Sequence, residues 1–395
     1  MNKMKTEAVK NYPFVFVHGM FGWGENEGVN RIAPYWGGTT GSLVDYLRDI
    51  NCDCYAASVG PMSGAWDQAC ELYAQLMGTV VDYGEVHSKR YGHKRYGRRY
   101  NLPMIENWSA ENKIHLVGHS FGGNAVRMLA HLLTHGAPKE VEASGDDVSP
   151  LFKGGNEALV YSVTTICSPL NGTSAYETAD RIKLVHPLRH LAFIYAGVLG
   201  RSAMNGRLVD FHLEQFDLTH VPGRSDAESL RSVLKRMKTT KDSIEYDMSP
   251  EGAQKMNENI EISPNIYYFS YPFNSVRSFG EKQIRFPVDW RMPLLFVTSS
   301  MMIANAHFHN THSVSQHDYE NDGLVNVKSQ LCPDDEPGTD FVDIESVRKG
   351  EWNIMPVTNA DHGMAVGLLA DRERLRSFYI KFIENIRLLE KNENK

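Results

Sequence analysis

The stretch from Lys113 to Leu133 constrains this chain more than any other. Lys113-Ile114-His115-Leu116-Val117 reads as a short buried strand. Asn124 to Leu133 reads as a helix, with Ala125, Met128, Leu129 and Leu132 along one face. Between them stands Gly118-His119-Ser120-Phe121-Gly122. A strand, a G-x-S-x-G pentapeptide and a helix form the context of a nucleophile elbow. Glycines flank the serine because the turn is sharp and has no room for Cβ atoms. The serine hydroxyl then stands at the carboxyl end of a sheet, and the helix aims its N-terminus at charge developing on a bound carbonyl oxygen. A chance pentapeptide is the plain alternative, and the flanking strand and helix argue against it. Ser120 is the candidate nucleophile. The N–H of Phe121, the next residue, is a candidate oxyanion donor.

With 395 residues the chain can bury a large core, as one large domain or two ordinary ones. Hydrophobic residues at 42% and charged residues at 23% mark an ordinary globular composition, not a disordered one. A net charge of -7 without a long basic run argues against nucleic acid as a partner. The nearest exception, Lys89, Arg90, Lys94, Arg95, Arg98 and Arg99, is interleaved with His87, Tyr91, His93 and Tyr96. Cys52, Cys54, Cys70, Cys167 and Cys332 are scattered and odd in number, so no disulfide framework is expected. No run is apolar enough for a transmembrane anchor, and Met1 to Asn11 lacks the apolar core of a signal peptide. Read literally the chain is cytoplasmic, although a mature secreted form would look the same.

Along the chain, Tyr12 to Val17 is an apolar strand running into His18-Gly19-Met20-Phe21-Gly22-Trp23-Gly24. A strand followed by His-Gly-hydrophobe is how the first oxyanion-hole loop of an α/β-hydrolase begins, with the N–H of Met20 as its donor. Standing alone, the same segment is only a glycine-rich turn. Thr40–Asp49 and Ala65–Leu76 read as helices and Cys54–Val59 as a strand. Val80 to Arg99 shows neither helical nor strand periodicity, and Glu140 to Pro150 reads as a polar loop. Ala158–Cys167 and Ile266–Tyr271 are further strands, and Leu375–Leu389 is a closing helix. From Ala175 to about Met248 the chain turns helical, with apolar residues on more faces than an ordinary surface helix carries.

A serine nucleophile needs a base, and the base an orienting carboxylate. The expected chain order is Ser, acid, His. His362 lies in a loop shortly before the last helix, and Asp322 in an Asp-Gly turn between Ser120 and His362. Asp318, Asp343 and Asp361 are rivals for the acid; Asp361 adjoins the histidine, and neighbours on a loop rarely face each other.

Taken together these pieces resemble the zinc-containing bacterial lipases of the thermoalkaliphilic Bacillus/Geobacillus and staphylococcal group. The likeness runs from about Phe14 to the last helix. It rests on His18–Gly24, Tyr35-Trp36-Gly37-Gly38, Val59-Gly60-Pro61, Trp66-Asp67-Gln68-Ala69-Cys70-Glu71, Val81-Asp82-Tyr83-Gly84, Gly92-His93, Thr164-Thr165-Ile166, Leu213-Glu214-Gln215-Phe216, Tyr246-Asp247-Met248 and Glu320-Asn321-Asp322-Gly323. The resemblance implies an α/β-hydrolase fold in a single domain: a mostly parallel sheet with helices on both faces, a zinc-binding insert over about 61–105 and a helical lid over about 175–248. It implies Asp322 as the acid and His362 as the base, and a structural zinc on Asp67, His87, His93 and Asp247. It further implies a secreted enzyme acting on lipid or other esters at an interface. The calcium site frequent in the group is not expected, because Met364 stands two places after His362 and Asp371 is followed by Arg372.

The expected chemistry is ester hydrolysis through an acyl-enzyme. Acyl transfer to another alcohol would use the same residues. A binding protein on the same fold would not need all three positions filled. A metallohydrolase built on His307, His309, His312 and His317 lacks a His pair at i, i+4 with a Glu between.

Overall fold

In the computed structural model the described residues are 11–175, 210, 212, 214–216, 240–279, 284–287, 290–304 and 319–393. The expected lid segment, with Phe193 and Ile194, lies almost wholly outside them, as do Asp318 and the four histidines from His307 to His317.

The strands are β1 (Phe14–Val17), β2 (Cys54–Ala57), β3 (Val80–Asp82), β4 (Tyr96–Arg99), β5 (Ile114–His119), β6 (Val160–Ile166), β7 (Tyr267–Tyr271), β8 (Val276–Phe279), β9 (Ile284–Pro287), β10 (Gly338–Asp340) and β11 (Trp352–Ile354). Seven of them make one sheet in the order β10-β11-β7-β6-β5-β1-β2, and every pairing in it is parallel. β3 with β4, and β8 with β9, form separate antiparallel pairs.

A parallel sheet needs both faces covered, because its crossovers place helices there. Alternation along β1 divides its side chains accordingly. Val15 and Val17 join the core under α2 (Ala65–Met77) and α4 (Gly122–His135). Phe14 and Phe16 join the core under α1 (Leu43–Asp49) and the last helix, Arg372–Glu393. On α4, Ala125, Val126, Leu129, Leu132 and Leu133 are fully buried. Each leucine contributes about 2 kcal/mol by leaving water, which holds the elbow helix flat on the sheet.

Two stretches differ from the sequence reading. The one without periodicity, Val80 to Arg99, is strand, helix and strand: β3, α3 (Glu85–Tyr91) and β4. Its elements are too short to show a period. α3 also lacks a side-chain cap of its own, since its N-cap is Gly84 at φ +92°. The cap comes from afar, where buried Glu140 accepts the N–H groups of Val86 at 2.9 Å and His87 at 2.8 Å. Only glycine fits there: a Cβ on Gly84 would stand 2.5 Å from the Glu140 carboxyl carbon. Glu140 itself sits on α5 (Pro138–Ser144), a helix where the polar sequence suggested a loop.

Candidate functional site

β5 delivers Ser120 one residue beyond its end. The serine adopts φ +55°, a left-handed conformation that costs an L-residue energy. Its N–H donates to Ile166 O at 2.8 Å, tying the elbow to β6. The flanking glycines are required. A Cβ on Gly118 would stand 2.3 Å from Gly122 C, and one on Gly122 2.3 Å from Val17 O. Phe121 is helical and leads into α4.

The oxyanion-loop candidate stands beside the serine: a Cβ on Gly19 would come within 2.6 Å of Ser120 Cβ. His18 braces this loop. Its Nδ1–H donates to Gly19 O at 2.9 Å, and its Nε2 accepts the Val59 N–H at 3.2 Å. Burial pushes its pKa down to about 4, so the ring stays neutral as this pattern requires. Among the described residues, neither Met20 N–H nor Phe121 N–H has a hydrogen-bond partner.

Asp322 and His362 lie forty residues apart and meet at this end of the sheet. His362 Nδ1 donates to Asp322 Oδ2 at 2.8 Å, and His362 N–H donates to Asp322 O at 2.8 Å. Asp322 Oδ1 accepts the N–H groups of Leu324 at 3.0 Å and Val325 at 2.9 Å. This fully buried carboxylate is therefore held at both oxygens, and it fixes Nδ1 as the protonated nitrogen. The rivals are otherwise engaged. Asp343 is exposed and caps its own turn at Glu345 and Ser346. Asp361 accepts the Gly363 N–H at 2.8 Å. Buried Cys167, at φ +55°, lies beside the pair; burial, with Asp322 next to it, raises its thiol pKa far above the usual range.

Among the described residues, two groups of side chains have metal-ligand composition. His119, Cys167 and His362 are one. Both ring nitrogens of His119 and Nδ1 of His362 already hold hydrogen bonds, so this group offers a metal little. The other is Asp67, His87, His93 and Asp242. Asp67 rides on α2 and His87 on α3, while His93 follows Gly92, whose left-handed φ of +67° turns the chain back at the helix end. His87 Nε2 lies 3.1 Å from Asp67 Oδ1 and 3.5 Å from Asp242 Oδ1, and His93 Nε2 lies 3.4 Å from Asp242 Oδ2. Tetrahedral zinc with N and O ligands has edges of about 3.3 Å. Asp67 Oδ1, His87 Nε2, His93 Nε2 and Asp242 Oδ2 are all buried and have no hydrogen-bond partner among the described residues. His93 Nδ1–H donates to Lys94 O at 2.8 Å, which leaves the lone pair on Nε2 facing the group. Gln215 Nε2 holds the other oxygen of Asp67 at 3.2 Å. Burial raises the Asp67 pKa to about 6, with Asp242 adding to the rise. Burial opposes charge on His87, but Asp242 and Asp67 outweigh it and lift that pKa to about 10.

Asp247, expected from the sequence as the fourth ligand, is not brought into this group. Asp247 Oδ2 accepts the Ala65 N–H at 2.8 Å, capping α2, whose N-cap Gly64 has no side chain to do so. Burial lifts the Asp247 pKa to about 7. Asp242, just before the short helix Ile244–Asp247 and its N-cap Ser243, takes the place facing the histidines. Nothing local in the sequence distinguishes the two aspartates.

A fully parallel sheet with a strained serine elbow and an Asp–His pair at its carboxyl end defines an α/β-hydrolase fold. The chain belongs to the family described as lipase-like, C-terminal domain, whose sequence model matches residues 10–394. It is 31% identical over 407 aligned residues to Lipase 2 of Staphylococcus aureus, an alignment covering 99% of this chain and 56% of that protein. The chain thus spans little more than half the length of the curated relatives it matches. The crystal structure of Staphylococcus hyicus lipase is similar at a TM-score of 0.83 and 30% identity, covering 100% of both chains. EstA from Clostridium botulinum is similar at a TM-score of 0.81 and 33% identity, covering 96% of this chain and 89% of that one.

Proposed function

We propose that this protein is a secreted serine ester hydrolase of lipase type, cleaving acylglycerols and other water-insoluble esters. The observation that carries the reading is the Asp322–His362 hydrogen bond of 2.8 Å, with the His362 carbonyl 3.1 Å from Nε2 of His119, the residue just before a serine held at φ +55°. Ser120 attacks the ester carbonyl while Nε2 of His362 takes its proton. Asp322 keeps the imidazole in the tautomer with Nδ1 protonated and stabilises the imidazolium. The N–H groups of Met20 and Phe121 receive the oxyanion, aided by the N-terminus of α4. His362 returns the proton to the leaving alcohol, and water then splits the acyl-enzyme by the same steps in reverse.

A lipid-like rather than small soluble substrate is supported by the helix Leu294–Ala304. Its Phe296 ring centroid lies 6.0 Å from that of His362, while Leu294 and Leu295 beside it, and nearby Trp290, are exposed. An apolar surface at the base of the reaction suits an acyl chain or an interface. No helix among the described residues is long and apolar enough to cross a membrane.

Asp67, His87, His93 and Asp242 would hold a zinc ion. Four protein ligands leave no open position for water, so the ion would act structurally, tying α2, α3 and the segment before Ile244 together. Turnover of p-nitrophenyl esters with and without a chelator, with phosphonate labelling read by peptide mass spectrometry, tests both parts. The reading expects Ser120 to carry the label and chelation to lower the melting temperature before it lowers the rate. A label elsewhere, or instant and reversible loss of chemistry on chelation with the fold unchanged, overturns it. The expected lid adds one measurement. The rate should rise more steeply than saturation allows once substrate droplets form, and a hyperbolic curve through the solubility limit removes the lid.

A further inference from the structure

We propose that Tyr35 and His119 are positioning residues that tie the oxyanion loop to the loop of His362 across the serine elbow, an inference that rests on the serine-hydrolase reading above. Three hydrogen bonds make the tie. Gly19 N–H donates to Tyr35 Oη at 2.9 Å, Tyr35 Oη lies 2.8 Å from His119 Nδ1, and His119 Nε2 lies 3.1 Å from His362 O.

One proton arrangement satisfies all three. A carbonyl oxygen only accepts, so His119 Nε2 carries the hydrogen. The neutral ring then has a bare Nδ1, which accepts from the Tyr35 hydroxyl. The hydroxyl oxygen is left to accept from Gly19 N–H. Buried surroundings hold both groups in these states. Burial, with His362 nearby, drives the His119 pKa well below its usual value, and burial drives that of Tyr35 up. The rings are held as well: His119 packs at 5.9 Å from Tyr35 and, edge to face, at 6.1 Å from buried Trp36.

The ends of this relay reach the reacting groups. Gly19 precedes Met20, whose N–H is the proposed oxyanion donor. His119 adjoins Ser120 in the chain. The His362 carbonyl belongs to the base itself, whose own N–H and Nδ1 are held by Asp322 on the other side. Both ring nitrogens of His119 are used within the protein, so it does not touch substrate. It acts by holding donor, nucleophile and base in one frame. Misplacement of such a frame by about 1 Å costs roughly 10²-fold in rate.

Tyr35→Phe keeps the ring and removes the hydroxyl. It leaves Gly19 N–H and His119 Nδ1 without partners and frees His119 to change tautomer and release the His362 carbonyl. The expected result is a kcat lower by roughly 10- to 100-fold, a KM within about threefold, and phosphonate inactivation slowed by the same factor as kcat. A purely structural role would lower the melting temperature and the folded fraction but leave kcat per folded molecule unchanged, and that result overturns the relay. His119→Gln, which keeps one donor and one acceptor, should retain more kcat than His119→Leu. Equal rates in those two variants overturn the relay even where Tyr35→Phe does not fold. The label separates this inference from the one beneath it. Wild-type protein unlabelled at Ser120 removes the hydrolase reading. Label at Ser120 with wild-type kinetics in Tyr35→Phe removes only the relay.

Discussion

The catalytic candidate and the metal candidate are both buried, both built from Asp and His, and opposite in how their polar atoms are satisfied. Around Asp322 the protein supplies every partner: two backbone N–H groups on one oxygen and the His362 imidazole on the other. Among the described residues, Met20 N–H and Phe121 N–H are left without partners, and the proposed function makes them donors for negative charge. In the cluster of Asp67, His87, His93 and Asp242, four acceptor-capable atoms face one another, and no described residue gives them a hydrogen bond. A buried polar atom without a partner costs about 1–3 kcal/mol, and four in one place are stable only with a cation or protons among them. On the proposed function, one centre would be completed by an anionic reaction intermediate and the other by a positive ion. The difference predicts separate failures: damage to the first should cost rate without stability, and damage to the second stability without intrinsic rate.

Ser120→Ala is the strongest test of that separation. It should lower kcat by roughly 10⁶-fold, as removal of a triad serine does elsewhere, with the melting temperature unchanged. Asp322→Asn comes next, at roughly 10⁴-fold, because an amide in place of the carboxylate favours the wrong imidazole tautomer. Asp343→Asn serves as its control and should stay within about twofold, since surface changes of this kind are nearly neutral. A sensitive Asp343 with an insensitive Asp322 would exchange their roles.

Asp242→Ala moves to the metal side. It should abolish stoichiometric zinc, read by elemental analysis, and lower stability by a few kcal/mol, while the rate at low temperature holds. Asp247→Asn sharpens the same point. It should keep the zinc and lose only part of the α2 cap, about 1 kcal/mol. Zinc lost from Asp247→Asn and retained in Asp242→Ala would restore the sequence-based ligand set. Glu140→Gln is expected to act on a similar scale, weakening the cap of α3 by about 1 kcal/mol, read as a lower melting temperature at unchanged zinc content.

Much of the catalytic candidate was legible because its parts carry local signals. Gly118 answers to a clash within five residues of chain, against Gly122, whereas Gly122 answers to Val17 on the neighbouring strand. The Asp-Gly turn at Asp322 and the loop histidine before the last helix follow in the order this fold requires. Asp67, His87 and His93 were found through a resemblance, and their spacing had no period to betray them. Asp242 was missed because two aspartates five residues apart look alike until each finds its partner. The cap by Glu140 was missed for the same reason: a glycine N-cap announces no helix, and its carboxylate arrives from fifty residues away.

By itself, then, the sequence determined those features whose energetics are local: the buried strands, the helix faces and the sharp serine turn. Sterics and hydrophobic periodicity act over a few residues, so a short window contains their whole cause. Tertiary structure alone decided which carboxylate faces His87 and which caps α2, that a polar stretch folds as α5, and that Tyr35, His119 and the His362 carbonyl line up. Those outcomes depend on which buried polar atoms are left to satisfy once the sheet and helices have packed, and that tally exists only after distant segments meet.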